Sequence, residues 1–316
     1  MKDHLSRVCP RLPRRSGRLV ERPVRADLDV SISLGSGPVA EAVNIDRTGT
    51  PLLRDHGSMP EDEQPLDGGN STPEIVRVGN TVRRAAGPWT PFVHQFLNHL
   101  ADRSYPAPRP LGMDEKGREI LSFIPGDRVH PNNPALVASS RGLRRVGRLI
   151  ADYHRAQEGF VAPVDAVWRR EGRDPTGADE VLAHNDLAPW ILVAGPTDWV
   201  FIDWDLLAPG RRVWDLAWAV HSFVGLWPES ELDDATVVQH IAAFCDGAEV
   251  GHGARPELLD VVVERTRDHA ELLRRGASVG VHHFAQLVAD GHADRWEGAA
   301  QHVEARKELW CSLLHN

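Results

Sequence analysis

Two short segments of this 316-residue chain hold side chains whose types and spacing suit catalysis. The first is His184-Asn185-Asp186-Leu187-Ala188-Pro189-Trp190-Ile191. The second is Phe201-Ile202-Asp203-Trp204-Asp205, with Gly210 to Asp215 close behind it. Asp186 falls in a polar loop between two apolar runs, Val181-Leu182-Ala183 and Ile191-Leu192-Val193. Asp203 stands just past a third run, Trp199-Val200-Phe201-Ile202, and the turn at Gly195-Pro196-Thr197-Asp198 folds that run back on the second. The two carboxylates are therefore expected within a few ångströms of one solvent-reachable point. Carboxylates so placed need a compensating cation, and a hard, oxygen-liganded ion such as Mg²⁺ suits them. One can bind the metal while the other accepts a proton or orients a nucleophile. Asp205 has two readings, a third carboxylate at the metal or a solvated capping residue.

Elements on either side must position these loops. Glu74-Ile75-Val76-Arg77-Val78 reads as a strand, Gly79-Asn80 as a hairpin turn and Thr81-Val82-Arg83-Arg84 as the return strand. Trp89, Phe92, Val93, Phe96, Leu97 and Leu100 recur at spacings of three and four, one face of a helix. Thr90 is placed to cap that helix, with Pro91 at its first position. Leu111 to Met113 and Glu119 to Ile124 form a second hairpin turning at Glu115-Lys116-Gly117. Leu143, Val146, Leu149, Ile150 and Tyr153 make an apolar helical stripe, and from Val213 the periodicity is helical again. The order is a small β-rich part, a connector near 121–126 and a larger helical part containing one hairpin.

Residues 1–58 are rich in Arg and Pro and lack the apolar run of a secretory signal. They read as a weakly ordered extension, and Met59 as an alternative start of the chain.

The motif as a whole resembles the aminoglycoside phosphotransferase and choline kinase family of small-molecule kinases. That family carries H-x-D-x-x-x-x-N, a hydrophobic strand ending in I-D and a downstream D-L-A. This chain has His184, Asp186, Ile202-Asp203 and Asp215-Leu216-Ala217, and Ser122-Phe123-Ile124-Pro125-Gly126 resembles the family's lobe hinge. The resemblance covers residues 59–316 and implies an α+β, two-lobed protein-kinase-like fold. The implied lobes are a β-rich nucleotide-binding one over 59–124 and a mostly helical one over 125–316. It implies ATP (or GTP) and Mg²⁺ as cofactors and a small hydroxylated molecule as substrate. It makes Asp186 the catalytic base, Asp203 a ligand of the Mg²⁺ that bridges the terminal phosphates, His184 a brace of the catalytic loop and Asp215 the holder of its backbone. Ser122, Phe123 and Ile124 would receive the adenine, and Gly68 and Gly69 would let the chain approach the phosphates closely.

Departures from that pattern stand out. The family's metal-binding asparagine falls at Ile191, which offers no oxygen. The nucleotide-binding lysine has no counterpart, because the only lysines are Lys2, Lys116 and Lys307; Arg83 or Arg84 is the cation in that strand. The helix glutamate that usually pairs with that lysine is also missing, and His94 lies near its place. These changes leave a second reading open, a catalytically impaired pseudokinase that binds a nucleotide or ligand. A third, a metal-dependent hydrolase, would use the same carboxylates.

The net charge is −9, with 36 basic and 45 acidic residues, which argues against a nucleic-acid partner. Residues 1–58 hold ten basic and seven acidic groups, so the rest holds 26 and 38. That acidic balance leans toward a cationic substrate, aminoglycoside-like or choline-like. No run reaches the length of a membrane span. Three scattered cysteines, Cys9, Cys245 and Cys311, form neither a disulfide framework nor a zinc cluster, which favours a reducing, cytoplasmic compartment. Trp190, Trp199, Trp204, Trp214 and Trp218 crowd the motif; most read as core, with Trp204 or Trp214 the candidate for stacking on a ligand. His282, His283 and His292 have a weak metal-like spacing that reads better as ordinary helix histidines.

Overall fold

Alternating burial along short strands builds one antiparallel sheet in the first third of the chain. The structure, a computed structural model, describes residues 63–66, 75–130, 132–169, 171–172, 174 and 180–315. The expected extension over 1–58 and the glycines Gly68 and Gly69 lie outside the described residues. Strands β1 (Gln64–Leu66), β2 (Ile75–Val78), β3 (Thr81–Ala85), β4 (Pro110–Met113) and β5 (Arg118–Ser122) lie in the order β1-β2-β3-β5-β4. The β2–β3 and β4–β5 hairpins are local, and the sheet closes through β3 against β5, with Arg84 opposite Glu119.

Helix α1 (Thr90–Asp102) crosses between β3 and β4. Thr90 lies inside the first turn rather than capping it: Trp89 is the N-cap, and the Thr90 hydroxyl accepts from the Gly87 amide. The apolar face of α1 joins the sheet to the helical part, because Phe96 packs edge-on to Tyr153 and against Trp204. All three are buried in one continuous core.

The crossing to the helical part runs through Gly126, whose φ of +137° suits only glycine; a Cβ there would lie 2.5 Å from the Ala194 carbonyl oxygen. Beyond it come β6 (Asp127–Arg128), α2 (Ser140–Ala156), β7 (Val181–Ala183), β8 (Leu192–Ala194), β9 (Trp199–Phe201) and β10 (Ala208–Gly210). Strands β6, β8 and β9 form one small sheet, and β7 pairs with β10 rather than with β8. Five helices follow: α3 (Arg212–Val224), α4 (Asp234–Gly247), α5 (Arg255–Ser278), α6 (His282–Ala289) and α7 (His292–Glu304), with α8 (Lys307–His315) closing the chain. Side chains cap two of the helices: the Ser139 hydroxyl accepts from the Gly142 amide on α2, and the Asp233 carboxylate accepts from the Thr236 amide on α4. No helix among the described residues is long and apolar enough to cross a membrane.

Candidate functional site

The loop after β7 is held from below by one buried carboxylate. Asp215, in the first turn of α3, accepts from the amides of His184 (3.1 Å) and Asn185 (2.9 Å) and meets His154 Nε2 at 3.1 Å. Burial pushes its carboxyl up, but the His154 contact and the Asn185 amide outweigh that and hold it below the ordinary range. Asn185 takes a left-handed φ of 65°, which asparagine tolerates better than most residues, and its side-chain amide donates to the Ala183 and Leu206 carbonyls. The buried His184 ring meets the Ile202 carbonyl at 3.2 Å and packs on Trp204. These contacts tie the Asp186 loop to the strand that delivers Asp203.

Asp186 sits where that loop turns toward solvent. The indole N–H groups of Trp218 (3.2 Å) and Trp190 (3.4 Å) each donate to one of its oxygens. Burial first, and then the charge on Asp203, push its carboxyl up to about 7 against the pull of those two indoles. Asp203 also has a left-handed φ, 63°, as the residue that starts the 3₁₀ turn Trp204–Leu206. Positive φ costs energy for non-glycine residues, and here it occurs at Asp203 and beside Asp186.

The cation in this site is Arg84. Its guanidinium is 5% exposed and reaches three carboxylates, with Nε to Glu119 at 2.6 Å, Nη1 to Asp203 at 2.5 Å and Nη2 to Asp205 at 2.5 Å. His94 of α1 meets the other Glu119 oxygen at 2.8 Å. The basic residue of β3 thus pairs with a glutamate from β5 rather than from the helix, and His94 links the helix to that pair. Glu119 is the residue that sequence reasoning missed. Its signal is period-two alternation, which puts Glu119 on the same buried face of β5 as Leu121. The three carboxylates outweigh burial and raise the Arg84 pKa, and Arg84 in turn outweighs burial in lowering that of Asp203. Burial dominates at Asp205 and pushes its carboxyl up.

A cleft of about 850 Å³ runs past these groups. Its lining comes from the sheet and the segment after it (Arg84, Ser122, Phe123 and Ile124), from the loops around Asp186, Ile191 and Asp203, and from helices α3, α5 and α7 (Trp218, Arg265 and Trp296). The Ser122 and Phe123 amides already donate to the Arg109 and Asn80 carbonyls, whereas the Ile124 amide has no backbone partner among the described residues. Of the candidate pair Arg83 and Arg84, alternation along β3 selects the second: Arg83 instead lies 3.9 Å from Asp114, off the cleft. Asp205 is buried behind Asp203, with Arg169 at 3.8 Å as its second cation. Trp204 and Trp214 are buried and do not line the cleft, so neither reaches a ligand; Trp190, Trp218, Trp227 and Trp296 line it in their stead. His283 and His292 line it too, but no group of three or more His, Cys, Asp or Glu able to hold a metal ion occurs among the described residues.

No protein-family model matches the chain. A curated relative, the trifolitoxin immunity protein of Rhizobium leguminosarum bv. trifolii, is 32% identical over 185 residues, which cover 57% of this chain and 67% of the relative. The chain belongs to the trifolitoxin immunity protein family. Solved structures show which fold this immunity-protein family member has. The amicoumacin kinase hAmiN, in complex with AMP-PNP, Ca²⁺ and Ami, superposes with a TM-score of 0.54 at 10% identity, over 78% of this chain and 89% of that one. Choline kinase from Cryptosporidium parvum Iowa II gives 0.53 at 12% identity, over 85% and 98%. A microcompartment-associated aminopropanol kinase gives 0.50 at 14%, over 80% and 93%. The α+β, two-lobed kinase-like fold implied by the motif is therefore the fold of this chain.

Proposed function

We propose that the chain is an ATP-dependent kinase that phosphorylates a hydroxyl group of a small molecule, with Asp186 as the proton acceptor. The observation that carries this reading is Asp186 itself, a carboxylate lining the cleft whose pKa of about 7 matches a general base to neutral pH. In the reaction the substrate hydroxyl gives its proton to Asp186 while its oxygen bonds to the terminal phosphorus, and ADP departs with the bridging oxygen as the bond between that oxygen and the terminal phosphorus breaks. The base of the nucleotide would lie along Ser122 to Ile124 with the Ile124 amide as donor, and Arg84 would face its phosphates. His184 and Asp215 would act only through the loop they hold.

The donor set fits one divalent cation. Asp203 has one oxygen on Arg84, its side chain is 39% exposed to the cleft, and Mg²⁺ commonly needs only one or two carboxylates beside substrate phosphates. The set does not fit a second ion, because Ile191 is apolar and Asp205 is tied to Arg84 and Arg169. A cation on Asp203 would supply charge neutralisation at the phosphates. Ile191→Asn tests this accounting. Ile191 is 4% exposed, so a buried amide should cost about 1–3 kcal/mol of stability. The expected result is a lower melting temperature together with a steeper Mg²⁺ dependence of ADP release. An unchanged Mg²⁺ dependence would mean that another group already completes the site.

The relative's name, that of an immunity protein, supports a toxin as the small molecule in this reading. A transferred phosphate adds about −1.5 to −2 charges at neutral pH, enough to spoil a ligand's fit to its target. The test of the whole reading is ADP release with Mg-ATP or Mg-GTP against a panel of hydroxyl compounds, together with a nucleotide thermal shift. Because the base must be ionised, kcat/KM should rise with pH through about 7 and fall away below it. The buried Ile191 also favours a second reading, a nucleotide-binding module without turnover. A nucleotide-dependent shift with no ADP release from any hydroxyl compound would select it.

A further inference from the structure

The helical end of the cleft, where the acceptor substrate must sit, does not share the acidic balance of the chain. Its fixed positive charges are Arg265 of α5 and Arg295 of α7. Arg265 is 1% exposed and donates to the carbonyls of Gly172 and Asn185; among the described residues the charges of Asp268, Asp215, Asp186 and Asp174 act on it only from beyond ion-pair distance, and its buried Nε has no hydrogen-bond partner. Among the described residues Arg295 forms an ion pair with Glu229 alone, at 3.9 Å with both side chains exposed, a contact worth little in water. The carboxylates of the cleft wall nearby are already engaged, Glu171 by Arg169 at 2.7 Å and Asp186 by its two indoles. A buried cation with no anion in direct contact is costly to the fold, and a ligand anion at that distance would offset part of the cost.

The aromatic wall gives the second half of the argument. Trp218 stacks on Trp296 at 4.7 Å and 19°, and Trp227 lies against Trp296 at 4.6 Å. Such a wall can receive a ligand cation on its π faces, but here the chain's own cations occupy it. The Arg265 guanidinium lies 5.0 Å from the Trp218 ring centre, and Arg295 lies 4.4 Å from that of Trp227. An ammonium placed against these rings would meet two guanidinium groups, a repulsive element of the kind that rejects wrong partners. Flat apolar surface with a cation beside it suits a ring that bears a negative group.

We propose that the acceptor substrate is a hydroxylated aryl compound carrying a carboxylate or phosphate, with its anionic group between Arg265 and Arg295 and its ring against Trp218, Trp227 and Trp296. This rests on the kinase reading and replaces the cationic substrate expected from overall composition.

The test measures binding to the full chain by quenching of tryptophan fluorescence, with and without AMP-PNP. The probes are 4-hydroxyphenylacetate, phenyl phosphate, 4-hydroxyphenylacetamide and tyramine. At least one anion should bind about tenfold more tightly than the neutral amide, with tyramine the weakest; which anion leads distinguishes carboxylate from phosphate. Added salt should erode that preference. Arg295→Gln, at a side chain 53% exposed and so expected to fold, should remove most of the anion's advantage and leave the amide unchanged. The inference is overturned if the amide or tyramine binds as tightly as both anions, if Arg295→Gln leaves the order intact, or if no anion quenches at all. None of these measurements needs turnover. An anion preference without ADP release would sink the kinase reading alone, and ADP release with a tyramine preference would sink this inference alone.

Discussion

In the Asp186→Asn variant, substrate-dependent ADP release falls by about 10³-fold while nucleotide affinity stays within about twofold. The reason lies in what the carboxylate touches. Among the described residues its oxygens accept only from the Trp190 and Trp218 indoles, so there it supports no strand, cap or loop anchor. The backbone of its loop is fixed independently, by Asp215 on the His184 and Asn185 amides and by Arg265 on the Asn185 carbonyl. An amide therefore keeps the shape and loses the base. The direction of the stability change separates this from simple damage. The folded pKa of about 7 lies above the ordinary value of 3.8, so the ionised form is disfavoured by the fold. That penalty is absent below the unfolded pKa and is fully present once pH passes 7. At pH 8 the Asn variant should melt no lower than the parent, and at pH 5 the two should differ less. A variant that keeps more than about a tenth of the parent rate would exclude Asp186 as the base; one that loses nucleotide affinity in parallel would show that the loop had moved.

The part of the site legible in the sequence is the part built from neighbours along the chain. His184, Asp186 and Asp203 occupy one strand–loop–hairpin unit, and the turn at Gly195 to Asp198 fixes how β8 and β9 pair. Spacing alone therefore brings the two carboxylates together. The helix face of α1 is legible for the same reason, since its period is local. Arg84 with Glu119 is different. Both hairpins can be read from their turns, but the pairing of β3 with β5 joins residues 35 apart, and nothing local sets its register. Without that register the choice between Arg83 and Arg84 stays open, and Glu119 looks like an ordinary strand residue. The same limit hides the aromatic wall. Trp218 lies on α3 and Trp296 on α7, while Arg265 comes from α5. Only the packing of those helices brings them to one end of the cleft. Crowding of tryptophans near the motif points instead to Trp204 and Trp214, which are buried beneath it.

Arg84→Met is expected to lower stability by about 3–5 kcal/mol, the usual cost of removing one partner from a buried ion pair. For a chain of this size that corresponds to a fall in melting temperature of about 10 °C. Glu119 and Asp205 are 1% and 6% exposed, so methionine would leave two carboxylates facing each other with no guanidinium between them. Arg169, 3.8 Å from Asp205, is too far and too committed to Glu171 to replace it. Arg84→Lys should fall between parent and Met, because one ammonium cannot span three carboxylates that a planar fork reaches through separate nitrogens. The pH dependence has a definite sign. Without Arg84 the folded-state pKa of Asp205 rises further above its unfolded value. Stability is then lost as pH climbs through the carboxylate range and regained as protons return. The gap between parent and Arg84→Met should thus be widest near pH 8 and narrow toward pH 5, which thermal unfolding at the two pH values would measure. If the Met variant instead melts within a degree or two of the parent at pH 8, the arginine serves a ligand and not the fold. Its bonds to Asp203 and Asp205 are in that case ones that a bound nucleotide is free to take over.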